Sequence, residues 1–88
     1  MFVIEDEHHA EWVGQFPDRE QAMLELRRLA GVPWDTAPNV APCTSWRTCG
    51  RSYELIEYDD SREPWLQLSR VPMVETSAAG VRWLREAT

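Results

Sequence analysis

Eighty-eight residues, 43% hydrophobic and 27% charged, suffice for one domain spanning residues 1–88 around a modest core. Fifteen acidic residues stand against nine arginines and no lysine, so the net charge is −6, which argues against general binding of nucleic acid or an anionic membrane, since both need cationic surface. No run of residues approaches the ~18 apolar positions of a membrane span.

In chain order, Phe2–Glu5 and Glu11–Phe16 are β-prone and are joined by the polar tract Asp6–Ala10, which predicts an N-terminal hairpin with an exposed tip. Trp12, Gly14 and Phe16 alternate onto one face. Pro17 closes the second strand, and Asp18 with Gln21 three residues later reads as a helix start. From Arg19 to Ala30, the residues Ala22, Met23, Leu26, Leu29 and Ala30 recur at helical spacing, with Leu24 off the stripe. Arg27 and Arg28 suit the negative end of the helix dipole, and Gly31 suits its cap.

Residues 32–50 carry Pro33, Pro38 and Pro42 and predict irregular chain. Residues 51–58 and 65–70 predict two further strands around the turn Asp59–Pro64, with Leu66 and Leu68 inward. Pro72 interrupts the last strand, which resumes past a kink or bulge at Met73–Glu75. The tail from Thr76 or Ser77 predicts a short helix, with a terminal strand through Val81–Leu84 as the alternative. The fold class expected is α+β: a two-layer sandwich of about four antiparallel strands and one main helix, in the order β-β-α-loop-β-β-α.

The segment from Pro33 to Arg51 is the expected site. Residues 40–51 hold Arg47 and Arg51 and no acid, while residues 1–11 hold four acids and no arginine. Arg47 and Arg51, with Trp46, Trp34, Cys43 and Cys49 nearby, could line a pocket for a carboxylate or phosphate. The competing reading pairs both arginines with the acidic strands and buries Trp46. Five residues separate Cys43 from Cys49, which is neither a Cys-x-x-Cys redox motif nor half of a zinc site with His8 and His9. No metal or cofactor is therefore expected, and a cytoplasmic setting with reduced thiols is. The arginine-only cation set suits GC-rich bacterial coding.

The five tryptophans are the compositional oddity, most expected in the core and one or two at a binding surface. With no catalytic set in view, the leading expectation is a non-enzymatic binding or regulatory module working through protein–protein contact, as a homodimer or with another protein. The alternatives are an anionic ligand at residues 33–51 and a cysteine-dependent enzyme.

Overall fold

The computed structural model describes residues 1–7, 9–33, 36, 37, 39 and 50–84. Among them lie five strands and one helix: β1 (Phe2–Asp6), β2 (Glu11–Phe16), α1 (Arg19–Ala30), β3 (Arg51–Asp59), β4 (Leu66–Ser77) and β5 (Gly80–Trp83). The sheet order is β2-β1-β3-β4-β5, and every neighbouring pair is antiparallel. β2 and β3 thus run the same way on either side of β1, and α1 carries the chain across it. The fold is α+β as expected, with five strands rather than about four.

The helix forms where its periodicity places it. Asp18 is extended and its side chain accepts a 2.9 Å hydrogen bond from the Gln21 amide, while Ala22, Met23, Leu26 and Leu29 face the sheet and are buried. They join Ile4, Tyr53, Leu55, Met73 and Val74 in one core, flanked by Phe2, Val13, Phe16, Ala30 and Val71. Leu24 is exposed. Gly31 takes no left-handed cap, its φ being −87°. It still caps the helix, its N–H donating to the Arg28 carbonyl (3.1 Å), and a side chain adds to the cap: Asn39 Nδ2 donates to the carbonyls of Leu29 (2.7 Å) and Val32 (2.8 Å).

Four expectations are corrected. The tail is not helical: Ser77 pairs with Gly80 across a two-residue turn, and Gly80 adopts φ 114°, which ends any helix and opens β5. Trp12 does not share a face with Phe16, because the register shifts between Ile4 and Glu5 and leaves Val13 as the extra residue of a bulge. Phe16 packs on the helix-side core and Trp12 turns to the other face. Leu66 and Leu68 are not covered. Leu66 does point to the helix side, since it pairs with Asp59, but α1 is about 18 Å long and contacts chiefly β1, β2 and part of β4. Leu68 is the extra residue of a second bulge. The hairpin tip is not wholly exposed either, because His9 folds in against Asp6.

The sheet also buries a small apolar set on the face away from α1. Val3 and Ile56 pair with one another and are fully buried, yet neither belongs to the helix-side core. Trp12 and Tyr58 sit at opposite ends of this row on the same face, and their ring centroids meet at 5.9 Å. Trp65, from the β3–β4 turn, stacks on Trp12 at 6.4 Å and lies 5.8 Å from Tyr58. The three rings therefore gather on the face that carries the Val3–Ile56 pair. Beside them Arg70 bridges Glu5 (3.1 Å) and Glu54 (2.6 Å), tying three strands together.

Candidate functional site

Two regions of the described surface carry chemistry beyond simple packing. The first is a buried polar node where β1, β3 and the end of α1 converge. Asp6, fully buried, accepts from the Ser52 amide (3.0 Å) and from Arg51 Nη1 (3.0 Å), and its second oxygen also lies 2.5 Å from His9 Nδ1. Arg51 further donates through Nε to the Asn39 carbonyl (3.2 Å) and reaches Glu11 at 3.4 Å. Tyr53 donates its hydroxyl to Asn39 Oδ1 at 2.7 Å. Burial pushes the Tyr53 phenol up to about 12, outweighing the opposite pull of the nearby Arg51 charge.

The sequence leads to this node through one residue of its expected site. Arg51 is buried, and its contacts include the acidic strands β1 and β2 and the Asn39 backbone. Trp34, Cys43, Trp46, Arg47 and Cys49 lie outside the described residues. Asp6 and His9 form a carboxylate–imidazole pair, which is the orienting half of a general-base unit. The nucleophile in the cysteine reading would be Cys43 or Cys49, and the pair acquires no reaction from the described residues alone. Among these residues no group of three or more metal-ligating side chains converges. Sequence reasoning missed Asp6 and Asn39, since a buried aspartate at a strand end and an asparagine among prolines carry no local signature.

The second region is apolar. Along β4, on the side of the sheet that carries α1, a cavity of about 230 Å³ is lined by Phe2, Leu55, Val71 and Met73, with Arg19, Glu57 and Ser69 at its rim. Leu66 (48% exposed) and Leu68 (55%) stand at one end of this strip. At the other end are Val81 and Trp83, which pair with Thr76 and Val74 and so share their face. From Leu66 to the Val74–Trp83 pair the strip is eight residues of strand, roughly 25 Å. The outer edge of β4 from Leu66 to Pro72 has no strand partner among the described residues, which is where a proline is tolerated in a sheet.

Of the five tryptophans, Trp12 and Trp83 are exposed and Trp65 is half-buried, while Trp34 and Trp46 lie outside the described residues. No described helix is long and apolar enough to cross a membrane. No protein-family model matches the chain, and neither a curated protein nor a solved structure matches it.

Proposed function

We propose that this protein is a non-enzymatic binding module that acts through protein–protein contact, with the strip along β4 and β5 as its contact surface. One observation carries the reading. Among the described residues one helix covers only part of a five-stranded sheet, and the remainder of that face presents Leu66, Val81 and Trp83 to solvent, with exposed Leu68 at a bulge beside Leu66, around a cavity lined by apolar Phe2, Leu55, Val71 and Met73 and polar Arg19, Glu57 and Ser69. Large apolar side chains left exposed together on one face mark interaction sites on soluble proteins. A strip of roughly 25 Å matches about five turns of a partner helix, and the Trp83 indole is a side chain suited to the centre of an interface. The interior contacts of Arg51 with Asp6, Glu11 and Asn39 support a structural part for that residue.

The test uses the full chain and the double variant Leu66→Asp, Leu68→Asp. Light scattering reports a second copy, and capture from a bacterial lysate followed by titration with the purified partner reports a different protein. The wild type is expected to form a saturable complex of either kind. The variant, folded by circular dichroism, should lose it by at least tenfold, or about 1.4 kcal/mol. A strictly monomeric wild type with no saturable partner, or a complex indifferent to the two substitutions, defeats the reading.

A further inference from the structure

We propose that the cavity beside β4 binds a free amino acid with a large apolar side chain, such as leucine, methionine or phenylalanine. The walls of the cavity are graded. Phe2, Glu57 and Ser69 pair across β1, β3 and β4 and form its outer row. Two residues further along the strands, Leu55 and Val71 pair as an inner row, with Met73 beyond them. The outer row thus carries a carboxylate and a hydroxyl, and the inner row only carbon. The rows stand about 7 Å apart, a depth suited to an apolar side chain longer than that of alanine. Leu55 and Met73 are buried members of the core, so the floor is preformed.

Charge selects the head of the ligand. Glu57, half-buried, lines the cavity from the sheet, and Arg19 lines it from the first turn of α1, so opposite charges enter from the two layers of the fold. A carboxylate partly withdrawn from water attracts an ammonium more strongly than a fully exposed one, and a guanidinium can hold a carboxylate through a forked pair of hydrogen bonds. A fatty acid would match Arg19 and oppose Glu57, and an alkylamine would do the reverse. An amino acid carries one group for each, with the Ser69 hydroxyl beside them. Size then sets the upper limit. At about 230 Å³ the cavity falls below the roughly 300–1,000 Å³ of sites that enclose drug-sized ligands, so a nucleotide is too large for it.

Phenylalanine is the probe, titrated at constant ionic strength beside 3-phenylpropanoate, which lacks the ammonium, phenethylamine, which lacks the carboxylate, and alanine, which lacks the ring. The methyl NMR signals of Leu55, Val71 and Met73 report the cavity. Phenylalanine is expected to shift them saturably with a Kd in the millimolar range, and each analogue should bind at least about tenfold more weakly. Glu57→Gln should abolish the preference over 3-phenylpropanoate, and Arg19→Gln the preference over phenethylamine. Both side chains stand at the rim, so both variants are expected to fold, which circular dichroism checks. No saturable shift, equal binding of any analogue, or a preference that survives in its folded variant overturns the proposal. None of these readouts needs a protein partner, so the outcome is separate from that of the contact strip around the cavity.

Discussion

Asn39 joins three parts of the molecule with one short side chain. Its amide donates to the Leu29 carbonyl, which also accepts from the Val32 amide, and to the Val32 carbonyl just past α1, and its oxygen accepts from Tyr53 in β3. Asn39→Ala strips partners from buried groups, each worth about 1–3 kcal/mol when left unsatisfied, so a loss near 3 kcal/mol is expected in urea unfolding. Tyr53 adds a dependence on pH. Its phenol is raised from 10.0 to about 12 because burial disfavours the phenolate. The folded chain holds this proton more tightly than the unfolded one, so the associated stability is intact below the ordinary value and is lost as pH climbs toward the raised one. Urea midpoints measured between about pH 9 and about pH 11 should fall through the upper part of that range. Tyr53→Phe should start less stable, with Asn39 Oδ1 unpartnered, and decline less steeply.

At the scale of elements, the start of β3 depends on a glycine that sequence patterning does not single out. A Cβ on Gly50 would stand 2.0 Å from the Thr76 carbonyl oxygen, which is backbone and cannot swing aside. Gly50→Ala must therefore part β3 from β4 at the Arg51–Thr76 pair, and a cost above about 2 kcal/mol is expected by thermal or urea unfolding. A wild-type-like stability would show that this crossing is looser than its geometry. Such close approaches are tertiary, and they mark what the sequence hides. Helix α1 is legible because its cap and apolar stripe are local, and the strands of both hairpins are legible because their alternation is local. Whether residues 77–84 make helix or strand depends on β4 offering an edge, which Val81 and Leu84 at helical spacing cannot reveal. Val13 as a bulge and Leu66 as an uncovered inward residue likewise depend on partners distant in sequence. Of the expected site, only the placement of Arg51 is described, and its acidic partners were visible in the charge asymmetry, though not the burial of Asp6 that fixes their geometry.

At the scale of the whole molecule, the five strands and one helix of the described residues carry exposed apolar side chains on both faces of the sheet, and the two sets differ in what lies beside them. The Trp12–Tyr58–Trp65 rings gather on the face that carries Val3 and Ile56, which are fully buried, so the rings are placed to cover them. Trp83 lies at the end of a short edge strand whose four residues are all exposed, beside the single buried residue Val74 with which it pairs. Removing each indole should separate the two roles. Trp65→Ala opens a space over two buried aliphatic residues and is expected to cost about 2–3 kcal/mol, below the full core value because Trp65 is only half-buried. Trp83→Ala should stay within about 1 kcal/mol, as surface changes do. Urea unfolding of the two variants decides the matter. The reverse order would mean that the β4–β5 strip is part of the stabilising core, and a surface under that constraint is a poor candidate for one kept apolar for a partner.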